Sequence, residues 1–260
     1  MSPSRSPLAY YLGSLATLLR GVRNWPALLR LAGPWRRPVA LELSDGSSYL
    51  VNSLMDAWIV KETNLDRDYE RAGVPLQDGW QVVDIGAGIG DFTVFAARRT
   101  PHGRVLAYEP APDSVALLRR NLDRNLIANA EVCQAAVAGK AGRLTLDVSG
   151  GVAVQYRTVG DRGQVTVAAI TLADALAALP GGRCDFLKID CEGAEYDILF
   201  NAEADVLARI RRICLEYHDG VTDHSHAHLV RFLEARGWFV RLEPSPVHPE
   251  LGLLYAEHQI

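Results

Sequence analysis

No apolar run approaches the ~20 residues that a membrane-crossing helix needs. The nearest stretch, Leu8 to Leu19, is broken by Gly13, Ser14 and Thr17. Arg5 precedes it, but no clean small-residue cleavage site follows, so neither a secretory leader nor stable membrane insertion is expected. Cysteine is scarce: Cys133, Cys184, Cys191 and Cys214, with no CxxC spacing. That suits buried free thiols in a reducing, cytoplasmic setting better than a disulfide framework. A broad basic excess is missing as well. A net charge of −4 and a pI near 6.0 argue against a nucleic-acid binder. Acid is absent only locally. Residues 1–41 hold six arginines and no Asp or Glu, which leaves a surplus of ten acids on the other 219 residues. Such a basic head can meet an anionic surface or dock on its own acidic body. Internal repeats and low-complexity tracts are also lacking.

What is present suits a globular protein. A chain of 260 residues, 48% hydrophobic and 22% charged, can build one large α/β domain plus an extension. The pattern divides it into an N-terminal extension, 1–78, and a main domain, 79–260. In the extension Leu8, Tyr11, Leu12, Leu15, Leu19 and Val22 share a helical face, expected to pack on the main domain in preference to a membrane or partner. The same helices are where a homo-oligomer would form. Asn24-Trp25-Pro26 ends that helix and starts another, which Gly33-Pro34 stops. Val39 to Val51 reads as a hairpin turning at Ser44-Asp45-Gly46, and Asp56 to Arg71 as a helix.

From Trp80 onward strands and helices alternate. The spacing predicts strands over Trp80 to Ile85, Arg104 to Glu109, Ala130 to Val137, Cys184 to Asp190 and Ile210 to Tyr217. Helices are expected over Asp91 to Arg99, Pro112 to Leu126, Leu172 to Leu179, Ala194 to Phe200 and Asp223 to Arg236, the last capped by Asp223. Trp238 to Leu242 and Leu251 to Glu257 form a closing pair. Arg143 to Ile170 reads as an insertion of antiparallel strands, LTLDV, VAVQYR and QVTVAAI. This alternation means a mainly parallel sheet with helices on both faces.

Three stretches carry chemistry. The first is WQVVDIGAGIG (80–90), a strand running into Gly86, Gly88 and Gly90. The spacing is GxGxG, not the GxGxxG of a dinucleotide site. Asp84 before the loop suits a cationic ligand, such as the sulfonium and amino group of S-adenosylmethionine, better than a pyrophosphate. Glu109 ends the next strand, where a carboxylate can accept from both ribose hydroxyls, a feature that taken alone fits NAD equally. The second is DFLKIDCEGAEYDIL (185–199). Alternation puts Phe186, Lys188 and Asp190 on one side, with Lys188 expected to neutralise Asp190 or Glu216. Glu192 and Glu195 fall at a helix start, where a favourable dipole interaction explains Glu195 as well as function does. The third is Glu216-Tyr217-His218, whose Glu216 and His218 reach the same rim as Asp190. His224, His226 and His228 alternate nearby, but at a helix start they diverge, which disfavours a metal site.

With these residues in place the sequence resembles the FkbM family of S-adenosylmethionine-dependent methyltransferases. VVDIGAGIGDFTVFAA (82–97) is similar to the family's cofactor motif, and VLAYEP (105–110) to its ribose-binding strand end. KIDCEGAEYD within 185–199 is similar to its most distinctive segment, with Cys191 where valine is usual. LEYH (215–218), RNWPALLRL (23–31) and SLMDAWIVKETNLDRDYE (53–70) also match. The resemblance implies a Rossmann-like, seven-stranded class I methyltransferase sheet of order 3-2-1-4-5-7-6 with the last strand antiparallel. To it are added an N-terminal helical and hairpin extension and a β insertion. It places Asp84, Gly86, Ala87, Gly88, Gly90, Glu109, Pro110 and Ala136 at the cofactor, Asp190 between cofactor and acceptor, and Lys61 to Asp66 over the cofactor as a lid.

The implied reaction is methyl transfer, usually to an oxygen of a sugar, polyketide or other secondary metabolite. The acceptor must lie ~3 Å from the methyl carbon and in line with the carbon–sulfur bond. An alcohol also needs its proton removed. Asp190 or His218 is the expected base, with Glu216 orienting His218 or Lys188. A divalent metal on Asp190 and Glu216 comes second, because the sequence shows no tight ligand cluster. The expected partner is a small-molecule or glycoside acceptor. N-methylation of an amino sugar or amine, and a non-catalytic assembly partner, remain as alternatives.

Overall fold

In the computed structural model, residues 7–31, 38–71, 73–147 and 164–258 are described. Seven strands form the central sheet: β3 (Gln81–Ile85), β4 (Arg104–Tyr108), β5 (Ala130–Cys133), β9 (Phe186–Ile189), β10 (Arg212–His218), β11 (Trp238–Pro244) and β12 (Leu251–His258). Their order is β11-β12-β10-β9-β3-β4-β5. Numbered within the sheet, this is 3-2-1-4-5-7-6, as expected. The first five run parallel, and β12 is antiparallel to both β10 and β11. β3, β4 and β9 are near-continuous buried runs, as strands covered on both faces must be. Helices α5 (Asp91–Arg99), α6 (Pro112–Arg124), α7 (Leu172–Ala177), α8 (Ala194–Phe200), α9 (Ala204–Leu207) and α10 (His226–Glu234) cover the faces.

The extension packs onto this body. α1 (Pro7–Gly21) and the short α2 (Leu28–Leu31) precede the hairpin β1 (Val39–Glu42) and β2 (Ser48–Val51). Leu18 and Val22 join Leu41, Tyr49, Val51 and Val60 in one buried cluster with Val94 and Leu118 of the main domain. The face expected to pack is instead largely outside: Tyr11, Leu12, Leu15 and Leu19 of α1 are exposed, Leu12 by 60%, and the helix docks through Ser14 and Leu18, with Val22 just beyond its end. Among the described residues no helix is long and apolar enough to cross a membrane. All four cysteines are free.

Several boundaries differ from the expectation. The helix over Asp56 to Arg71 is three pieces. α3 (Leu54–Val60) is capped by Ser53, a π-helical turn spans Lys61–Asp66, and α4 (Asp68–Arg71) follows Arg67 in the left-handed region. The strand over Ala130 to Val137 splits, because the chain folds back at Cys133, whose carbonyl accepts the Ala135 N–H. β6 (Ala136–Val137) then leaves the main sheet to pair parallel with β8 (Gln164–Ile170), itself antiparallel to β7 (Gly142–Asp147). The expected VAVQYR strand lies outside the described residues. α10 starts at His226 and not at Asp223. Ser225 occupies the cap, and its backbone N–H reaches His228 Nδ1 at 3.0 Å.

Candidate active site

The carboxyl ends of β3, β4, β9 and β10 open onto two cavities, where open α/β sheets place their ligands. The larger, about 400 Å³, is lined by Gly86, Gly88, Glu109, Pro110, Ala136, Lys188, Asp190 and Cys191 among others. Gly86 has φ +74°, and a Cβ there would stand 1.8 Å from the Asp190 carbonyl oxygen, so the β3 and β9 ends meet only around a glycine. Gly88 has φ +53° with open space where a Cβ would sit. Glu109 Oε2 accepts the Gly88 N–H at 2.8 Å, and Oε1 accepts the Ala111 N–H at 2.9 Å. Burial raises this carboxyl against the pull of those two N–H groups. The carboxylate is thus fixed, and each oxygen keeps acceptor capacity.

Asp84, Ala87 and Gly90 lie outside the lining of this cavity. For Asp84 this corrects the expectation of a carboxylate facing a cationic ligand. It is wholly buried, 3.1 Å from Lys188 Nζ, and accepts Thr93 Oγ1–H at 2.6 Å. Asp84 and Lys188 are register partners on β3 and β9. Lys188 also donates to the Gly86 carbonyl at 2.7 Å and lies 3.9 Å from Asp190. Burial opposes its charge, but Asp84, Asp190 and Asp91 outweigh that and raise its pKa. The lysine expected to serve Asp190 or Glu216 therefore mainly serves Asp84 and ties the glycine loop down.

The expected lid is displaced by one element. Ser53, Met55, Asp56 and Ile59, at and after the start of α3, wall the larger cavity, whereas Glu62, Thr63 and Asp66 of the π turn line the smaller one. Lys61 is buried, paired with Asp66 at 2.5 Å and donating to Ser14 of α1 at 2.9 Å. Thr63 Oγ1 donates to Asp91 Oδ2 at 2.5 Å. Burial pushes Asp91 up to about 6, with Lys188 and Thr63 resisting.

The smaller cavity, about 130 Å³, adjoins the first at Asp190, which lines both. Around it stand Glu62, Asp66, Asp68, Glu216, Glu243 and Arg71. The structure brings Asp190, Glu216 and His218 together, with one ligand atom of each lying within 4.8 Å of the others. Tyr69, remote in sequence, donates to Asp190 Oδ2 at 3.1 Å. Burial and the Asp190 carboxylate push Glu216 up to about 8. Burial disfavours the charged His218 ring, but the Glu195 hydrogen bond and the charges of Asp190, Glu195 and Glu216 outweigh it and push it up to about 9. The residue that orients His218 is not Glu216, expected to orient His218 or Lys188, but the wholly buried Glu195. Its place in sequence, at a helix start, concealed that role. Cys191 lines the larger cavity as a thiol, raised by burial and then by Glu195 and Asp190.

The three alternating histidines each have a different partner. His224 packs on Phe200, His226 pairs with Asp219 at 2.6 Å and stacks on Tyr217, and His228 caps α10.

Residues 84–239 match the family model of the methyltransferase FkbM domain. The chain is 31% identical over 240 residues to 31-O-demethyl-FK506 methyltransferase FkbM of Streptomyces tacrolimicus, covering 80% of this chain and 91% of that protein. It is 28% identical to methyltransferase sdnD of Sordaria araneosa, over 84% and 86% of the two chains. Among solved structures, methyltransferase FkbM from Methylobacillus flagellatus KT is similar with a TM-score of 0.52 at 18% identity, over 90% of this chain and 59% of that one. That last likeness concerns the fold alone.

Proposed function

The chain belongs to the FkbM family of S-adenosylmethionine-dependent methyltransferases, and from that premise we propose that it methylates a hydroxyl oxygen of a small-molecule metabolite or sugar. The observation that carries this reading is the convergence of Asp190, Glu216 and His218 beside the point where the two cavities meet. An attacking hydroxyl must lose its proton, whereas a neutral amine need not lose one before it attacks. The Streptomyces tacrolimicus relative also carries a name that specifies an oxygen acceptor.

The larger cavity fits the cofactor. It has the size and the mixed lining of a small-molecule site, with an open glycine wall and a fixed carboxylate. Glu109 would take the ribose hydroxyls, with Gly86, Gly88, Pro110 and Ala136 forming the walls. S-adenosylmethionine, when bound, supplies a methyl group already activated as a sulfonium. The chain's own work is positioning and proton handling. α3 keeps water from one side through Met55 and Ile59. Tyr69 and Lys188 fix Asp190, and Glu195 fixes His218. Asp190 receives the acceptor's proton, or His218 does so in molecules whose ring is neutral.

A second reading rests on charge. Among the described residues the smaller cavity is lined by six carboxylates and one cation, Arg71, which is engaged by Asp68 and Glu243. Such a wall would hold an amine, and N-methylation would follow. Methyl transfer to alcohol and amine panels by wild type, Asp190→Asn and His218→Ala separates the two. Loss of about 10²–10⁴-fold on alcohols in both variants supports the hydroxyl reading. Retained transfer to amines in both, with none to alcohols in wild type, replaces it.

A further inference from the structure

We propose that Asp190, Glu216 and His218 form a divalent-cation site that holds the acceptor's oxygen, an inference resting on the hydroxyl reading above. Two carboxylates and an imidazole, each offering an atom within 4.8 Å of the others, are a mixed oxygen and nitrogen ligand set. The sequence shows no such cluster, because β9 and β10 must lie side by side to assemble it.

The state of each ligand supports the assignment. Asp190 takes both Tyr69 and Lys188 on Oδ2, which leaves Oδ1 without a hydrogen bond among the described residues. The Glu216 carboxylate, which lines the smaller cavity, accepts no hydrogen bond and forms no ion pair among the described residues. The nearby cations are committed elsewhere, Lys188 to Asp84 and the Gly86 carbonyl, and Arg71 to Asp68 and Glu243. Two adjacent carboxylates repel each other, and a divalent cation bound by both relieves that repulsion. The His218 side chain is only 7% exposed. Its Nδ1 faces the buried Glu195, and its Nε2 has no hydrogen-bond partner among the described residues, only the half-exposed Glu192 at 3.6 Å. A carboxylate hydrogen-bonded behind one ring nitrogen, with the other making no hydrogen bond, is how metal-binding histidines are oriented.

Asp190 and Glu216 both line the smaller cavity, so a cation held by them would be within reach of an acceptor lodged there. An acceptor hydroxyl held by the cation would keep its electron pair on oxygen and lose its proton to solvent, since Asp190 and His218 would then serve as ligands and not as the base. Glu195 is a positioning residue for this site.

The test uses chelator-treated, desalted full-length enzyme titrated with Mn²⁺, following the free-ion paramagnetic resonance signal. S-adenosylhomocysteine affinity is measured by calorimetry in the same samples. One Mn²⁺ per chain is expected. Glu216→Gln and His218→Gln should each weaken it at least about tenfold, and Glu195→Gln about tenfold through His218, all with S-adenosylhomocysteine affinity unchanged. Thermal melts guard against misfolding: Mn²⁺ should raise the wild-type midpoint and not that of Glu216→Gln. No Mn²⁺ binding at millimolar metal, or wild-type binding in Glu216→Gln and His218→Gln, overturns the site. Full-rate methylation of an alcohol in chelator overturns the cation while leaving the hydroxyl reading intact.

Discussion

Glu195 Oε1 stands 3.1 Å from His218 Nδ1 and accepts the His218 backbone N–H at 3.0 Å, while its Oε2 accepts the Gly193 N–H at 2.8 Å. One buried side chain thus joins the start of α8 to the end of β10. Glu195→Ala strands these donors, and urea unfolding should show a loss of about 3 kcal/mol. Glu195→Gln preserves the shape and should keep the fold. It is expected to lower kcat about tenfold with little change in KM for the cofactor, because it disturbs the ring's orientation and Glu195 does not line the larger cavity proposed for the cofactor.

The Asp84–Lys188 pair lies between β3 and β9, its side chains 0% and 4% exposed. Removing one partner leaves the other charge buried and uncompensated, so Asp84→Asn and Lys188→Met should each destabilise by about 3–5 kcal/mol in urea. The double variant is expected to recover much of that loss, since no lone charge remains. Additive losses would show that the two do not act as a pair.

The sheet was legible because alternation of strands and helices leaves few topologies, and the family resemblance specified one. The partners of buried charges were not. Alternation placed Lys188 on a face with Asp190, but Asp84 is 104 positions away and meets Lys188 only through the β3–β9 register. Tyr69 on Asp190 spans 121 positions and left no local pattern. Glu216 and His218 were readable as a rim pair, since residues two apart on a strand share a face. The break at Cys133 escaped because an apolar run has the same spacing whether it pairs with β4 or turns to β8. Asp223 and Ser225 are both good cap residues, and only the helix start decides between them.

Asp91 gives the stability a signed pH dependence. Burial raises it in the folded protein to about 6 from an ordinary value of 3.8. The folded chain therefore holds this proton more tightly than the unfolded one. This contribution is fully present below pH ~4 and is lost as pH rises through about 6, up to roughly 3 kcal/mol. Asp91→Asn lacks it. The stability of Asp91→Asn relative to wild type should climb between pH 4 and 6 and level off above, measured by urea unfolding at each pH. A flat difference would mean that Asp91 titrates normally.

Gly86 and Gly88 both have positive φ, yet they should fail differently. A Cβ on Gly86 meets the Asp190 carbonyl oxygen at 1.8 Å, a backbone atom that cannot swing aside, whereas one on Gly88 meets nothing within 4 Å. Gly86→Ala must push β3 and β9 apart, and it should unfold at markedly lower urea or fail to accumulate as folded protein. Gly88→Ala carries only the backbone penalty of about 1 kcal/mol. Its methyl enters open space on a glycine that lines the larger cavity, proposed for the cofactor, and whose N–H is held by Glu109. It is therefore expected to fold and to bind S-adenosylhomocysteine at least about tenfold more weakly, as one lost contact of 1.4 kcal/mol would give. Calorimetry on Gly88→Ala and denaturation of Gly86→Ala distinguish a glycine needed for strand approach from one needed for ligand approach. Equal losses of stability in the two would remove that distinction.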